Sequence, residues 1–72
     1  MAVSRTPVTS SALRSIGFDA EHNVLEVEFQ TGRTYRFYAV PAAVYQALLS
    51  ARSKGRFFNE QVAPVYRGHR QS

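Results

Sequence analysis

The amino-acid sequence predicts an α+β fold, a three-stranded antiparallel β-meander followed by two C-terminal helices packed on one face of the sheet. Three observations carry this. Apolar and polar residues alternate with period two through residues 15–18, 25–30 and 35–37, the pattern of half-buried strands. A Val40-Pro41 step closes the alternating region. Beyond it the apolar spacing changes to three and four, at Val44, Ala47, Leu48 and Ala51, as on one face of a helix.

Residues 1–10 are rich in Ser, Thr and Pro and carry one charge, which predicts a flexible N-terminal tail. The folded domain is expected over residues 11–66, with a basic C-terminal tail over 67–72. In the first strand Ile16 and Phe18 share a face, whereas Leu13 is out of phase with them. That calls for an irregular start or a β-bulge. Residues 19–23 are polar and turn-forming and make the loop of a first hairpin.

In the second strand Leu25, Val27 and Phe29 alternate with Glu26, Glu28 and Gln30. Matching apolar faces sets Leu25 and Val27 opposite Phe37 and Tyr35, and therefore Phe29 opposite Arg33. The loop is then Gln30-Thr31-Gly32. Its third residue needs a positive φ, which glycine adopts without steric cost. The same register places Glu26 across from Arg36 on the outer face, a pair worth roughly 0.2–1 kcal/mol.

The third strand, residues 33–39, ends at Val40-Pro41, where the proline disfavours helix before it and fits a first helical turn. The helix that follows is of roughly ten residues, with Tyr45 and Leu49 flanking its apolar stripe. Ser53 caps a second, shorter helix in which Phe58 and Val62 lie four apart. Gly55 in its first turn costs about 1 kcal/mol relative to alanine and implies close approach to the sheet or a ligand. Pro64 stops this helix. The expected core is Ile16, Phe18, Leu25, Val27, Phe29, Tyr35 and Phe37 from the sheet, with Val44, Leu48, Phe58 and Val62 from the helices.

The 72 residues are 44% hydrophobic and 12% aromatic, enough for one packed domain with a thin core. The chain has no cysteine. Disulfides, thiolate metal sites and a cysteine nucleophile are therefore excluded, and the composition fits a reducing cytoplasm. No apolar run approaches the ~18–20 residues of a membrane span, and residues 1–11 do not read as a signal peptide. A cytoplasmic protein with no membrane association is expected.

Neither His22 nor His69 has an acid or nucleophile at a spacing that implies a triad. No His, Cys, Asp or Glu cluster has metal-ligand spacing, and the four glycines are scattered, leaving no phosphate loop. These absences point away from an enzyme and from any cofactor.

Charge is divided sharply along the chain. Residues 52–72 hold Arg52, Lys54, Arg56, Arg67 and Arg70 against Glu60 alone, a balance of +4, while residues 1–51 balance to zero. Phe57, Phe58 and Tyr66 lie among those cations. Cations neutralise phosphates and aromatic faces stack on bases, so this half is the expected nucleic-acid surface. Phe58 is assigned to the core and Phe57 to a less buried position. Tyr38, on the outer sheet face with Arg36, adds a further stacking face and cation. The functional expectation is a non-catalytic module binding RNA or other nucleic acid non-specifically. The alternative is a protein-interaction module docking through an exposed sheet edge or helix face.

Four segments together resemble one family. They are Ser15-Ile16-Gly17-Phe18-Asp19; Leu25-Glu26-Val27-Glu28-Phe29; Tyr35-Arg36-Phe37-Tyr38-Ala39-Val40-Pro41; and Tyr45 with Ala51-Arg52-Ser53-Lys54-Gly55-Arg56-Phe57-Phe58-Asn59. The run is similar to the KTSC domain, a short bacterial domain found at the C-terminus of some lysyl-tRNA synthetases and as a free-standing protein. The family's central Tyr-x-Tyr begins here at Tyr35, but Phe37 occupies its second position and a tyrosine follows at Tyr38. The resemblance implies the fold, and its synthetase association suggests RNA binding.

Overall fold

The computed structural model describes residues 3–71. In chain order the elements are β1 (Arg5–Pro7), β2 (Leu13–Asp19), β3 (Val24–Phe29), β4 (Thr34–Phe37), α1 (Ala42–Ser50), α2 (Lys54–Phe57), a π-helical segment (Phe58–Val62) and β5 (Gly68–Arg70). The strands form one sheet in the order β1-β2-β3-β4-β5, and every neighbouring pair is antiparallel.

The α+β class is as expected, but the sheet has five strands rather than three. The two additional strands fall within residues 1–10 and 67–72, which the sequence reading assigned to tails. Both are three residues long and exposed at every position, so neither has an inward face to produce alternation. Both are edge strands, and Pro7 and Arg70 are the residue types that protect an edge from further pairing. Their ladders join Arg5 to Gly17 and Pro7 to Ser15, and Tyr35 to Arg70 and Phe37 to Gly68.

The second hairpin follows the expected register: Leu25 faces Phe37, Glu26 faces Arg36 and Val27 faces Tyr35. The Phe29 N–H donates to the Arg33 carbonyl at 2.9 Å, and Gly32 has φ +92°. The out-of-phase Leu13 is accommodated by a register shift between Leu13 and Ser15, which returns Leu13 to the core.

One apolar core lies between the inner sheet face and the helices. Ile16, Leu25, Val27 and Phe37 come from the sheet, and Leu48, Phe58 and Val62 from the helical region. Phe18, Phe29, Tyr35 and Val44 are half-buried at its margin, whereas Leu13 and Val40 are fully enclosed. Pro41 is the N-cap of α1, and Leu48 is the one buried residue of that helix. The Ser53 hydroxyl accepts the Arg56 N–H at 3.3 Å, capping α2 as its sequence suggested. Gly55 makes a close approach to Ala12, where an added Cβ would lie 3.1 Å from the alanine methyl.

Candidate functional site

The helices do not cover the whole inner face of the sheet. α1 lies over the β2 side, where Tyr45 stacks on Phe18 with ring centres 5.0 Å apart. At the other side a groove of about 630 Å³ opens, and no α1 residue lines it. Its outer wall is made by the chain leaving the π-helical segment. The N–H groups of Val65 and Tyr66 both donate to the Val62 carbonyl, at 3.1 and 2.9 Å. The chain therefore curls back after Pro64 and brings Tyr66, half-buried, against the core.

Five aromatic side chains line this groove: Phe29, Tyr35, Phe37, Phe58 and Tyr66. Phe58 meets Phe29 and Phe37 edge to face, with ring centres 5.2 and 5.3 Å apart, and Phe29 meets Tyr35 in the same way at 5.8 Å. Edge-to-face packing suits the charge distribution of the rings and holds them in fixed orientations. Gly68 completes the floor. A Cβ there would fall 2.6 Å from a carbon of the Phe37 ring, so the ring occupies space that any other residue would need.

The rim is polar and positive. Gln30, Thr31 and Arg33 come from the second hairpin loop, and Ser11 and Ala12 from the segment entering β2. Hydrogen bonds tie these two walls together. The Gln30 side-chain amide donates to the carbonyls of Ser10 and Leu13 at 3.1 and 3.2 Å, and its backbone N–H to that of Ala12 at 2.9 Å. No carboxylate is among the lining residues. Arg33 makes no ion pair among the described residues. Arg70, cross-strand partner of Tyr35, lies on the same sheet face beside it.

The residues expected from sequence to bind nucleic acid are distributed over three regions. Tyr66 lines the groove, Arg70 lies next to it across from Tyr35, and Arg67 is exposed between them in the chain. Arg52, Lys54, Arg56 and Phe57 surround α2. There Lys54 Nζ donates to the Ala51 carbonyl at 3.0 Å, Arg56 Nε to Glu60 Oε2 at 3.1 Å, and Phe57 packs against the core. Arg36 and Tyr38 lie on the opposite sheet face, Tyr38 with its ring edge-on to His69 at 5.3 Å.

That opposite face is organised around Glu26. The carboxylate is buried, with Arg36 Nε 2.8 Å from Oε1 and an Arg5 terminal nitrogen 3.2 Å from Oε2. Arg5 also donates to the Thr34 hydroxyl at 3.2 Å. The Glu26 carboxylate holds the Arg36 guanidinium protonated even more firmly than usual. Arg5 reaches Glu26 from two strands away because the intervening residue is Gly17, whose missing Cβ would stand 2.3 Å from the Ser4 carbonyl oxygen. Glu28 is likewise engaged, accepting from the Ser15 hydroxyl at 2.8 Å with Arg14 at 3.7 Å.

Two details differ from the sequence reading of the first hairpin loop. His22 does have an acid partner, with Nδ1 2.8 Å from Asp19 Oδ2. That hydrogen bond holds the Asp19 carboxyl below its usual range. Potential ligand atoms of Asp19, Glu21 and His22 also come within 4.8 Å of one another, a cluster that linear spacing did not reveal. Asp19 is already engaged in closing the turn, since its other oxygen accepts the N–H groups of Glu21 and His22 at 3.0 and 3.3 Å. Among the described residues, no helix is long and apolar enough to cross a membrane.

Of the groove lining, only Tyr66 was proposed from sequence as a binding residue; Phe29 and Phe58 were read as core, as were Tyr35 and Phe37, which continue the period of Arg33. Their period-two spacing on one face was a usable signal, but it reads equally as core.

The family model of the KTSC domain matches residues 9–66. An uncharacterised protein from Stutzerimonas stutzeri is 52% identical over 64 residues, covering 89% of this chain and 90% of its own. A lysine–tRNA ligase from Nostoc punctiforme is 32% identical over 50 residues, which span 69% of this chain and 9% of the ligase. Among solved structures, the crystal structure of a KTSC domain protein from Yersinia pestis superposes with a TM-score of 0.91 at 38% identity. That match covers 99% of this chain and 100% of the other.

Proposed function

The chain belongs to the KTSC domain family, and from that premise we propose that it is a small, non-catalytic, cytoplasmic module that binds RNA through the aromatic groove and its arginine rim. The observation that carries this reading is the groove itself, where five aromatic side chains and Arg33 line one concavity with Arg70 beside it and no acid among the lining residues. Stacking on such faces tolerates any base, and guanidinium groups take the phosphates, so the expected binding is strong in salt dependence and weak in sequence preference.

The position of the acids favours the same surface. Asp19, Glu26 and Glu28 are engaged on or beside the opposite sheet face, and Glu60 is engaged by Arg56. The net charge of +4 is therefore expressed away from that face. Similarity to part of a lysine–tRNA ligase, an enzyme acting on an RNA, points to RNA among nucleic acids.

Tyr66→Leu tests this directly, because leucine keeps apolar bulk against the core and removes the aromatic ring with its hydroxyl. Affinity for a single-stranded RNA at low salt, measured by fluorescence anisotropy, is expected to fall about 5- to 150-fold. Unchanged affinity would place the stacking elsewhere. Absence of binding by the parent protein would favour the protein-docking alternative.

A further inference from the structure

Resting on that reading, we propose that the groove is a one-nucleotide site: it takes a single unpaired base and the two phosphates flanking it, and it excludes duplex. The inference comes from three features of the groove taken together.

The first is size. A cavity of about 630 Å³ lies within the range that holds one small ligand, and it is bounded on both sides by tied walls. The hairpin loop is fastened to the Ser10–Leu13 segment by three hydrogen bonds from Gln30. Tyr66 closes the other side.

The second is the cation spacing. Arg33, immediately before β4, lines the groove together with Tyr35 and Phe37 of that strand, and Arg70 is the cross-strand partner of Tyr35. Arg33 and Arg70 are therefore diagonal neighbours on either side of Tyr35, about 7–8 Å apart at the backbone. This separation suits neighbouring phosphates of one strand, with the base between them directed down onto the rings. A guanidinium presents five N–H donors in a fixed fork, and a phosphate takes two of them.

The third is depth. The aromatic side chains that line the groove are half-buried or buried and do not stand proud of the surface. A base must leave its stack to reach them. Paired bases cannot do so without breaking the pair, which costs a few kcal/mol and sets a preference for single strands, ends and bulges.

The experiment uses the full chain with oligouridylates of two to twelve nucleotides and a twelve-base-pair RNA duplex, titrated at several salt concentrations. Affinity is expected to plateau at three nucleotides apart from the statistical gain of extra sites. Log affinity should fall against log salt with a slope near 1.4 in magnitude, two single-strand phosphates' worth. Arg33→Gln should lower that slope to about 0.7, and the duplex should bind at least tenfold more weakly than the single strand. Arg33 is exposed, so the variant should fold normally.

Affinity that keeps rising steeply to eight or more nucleotides, with a slope near 3.5 that Arg33→Gln leaves unchanged, would overturn the one-nucleotide site while sparing RNA binding itself. Equal affinity for duplex would overturn it in the same way. No binding to any RNA would instead reject the function on which the site depends.

Discussion

Leu48→Ala is expected to lower the unfolding free energy by about 3 kcal/mol, within the range for emptying a fully enclosed leucine site. Leu48 is the sole buried residue of α1, and its relative exposure is 0%. Val44, Tyr45 and Leu49 beside it are only partly covered, so they cannot collapse into the space without uncovering themselves. A domain of this length has about 4–11 kcal/mol of stability in total. The substitution therefore removes a large fraction of it. Urea unfolding followed by circular dichroism should show a lower midpoint with little change in slope. A loss below about 1 kcal/mol would mean that α1 is held by its flanking contacts and not by this side chain.

Glu26→Ala is expected to cost about 2–3 kcal/mol. Removing one member of a buried ion pair typically costs 3–5 kcal/mol because the partner is left uncompensated. Here the carboxylate side chain is 8% exposed, but Arg5 and Arg36 keep 31% and 26%, and their access to water reduces the penalty. Two like charges would then face each other across β2 and β3. The consequence should be local as well as global. Arg5 anchors β1 through this carboxylate, so amide hydrogen exchange in Arg5–Pro7 should accelerate more than in β4. Uniform acceleration across the sheet would show that Glu26 contributes to overall stability without holding the edge strand in particular.

Much of the central fold was legible in the sequence, for a physical reason. Strands β2 to β4 each have one face on the core, and that condition writes period-two alternation into the chain. The Glu26–Arg36 register could be read because Gly32 and the apolar faces impose the same pairing. The edge strands were not legible. Arg5–Pro7 and Gly68–Arg70 bury nothing, and their attachment depends on backbone pairing and on residues remote in sequence.

The Arg5 contact illustrates the same limit. It exists only because Gly17 leaves room over β2, a fact of tertiary geometry that no local pattern records. The pairing of Arg36 with Glu26 was legible, but not the burial of that carboxylate or its second guanidinium partner, Arg5. The groove was half legible. Tyr66 and Arg70 were proposed from charge and aromaticity, whereas Phe29 and Tyr35 were read as core because burial and stacking use the same side chains. Arg33 was read only as a turn-flanking residue. The placing of Arg70 across from Tyr35, on the groove side of the sheet, required a fifth strand.

The most direct test of the groove as the binding surface is a map of backbone amide chemical shifts on titration with a trinucleotide RNA at low salt. Shifts concentrated in residues 29–35 and 66–70, on either side of the groove, are the expected result. Shifts confined to residues 52–56, or to Arg36, Tyr38 and His69 on the opposite face, would contradict it.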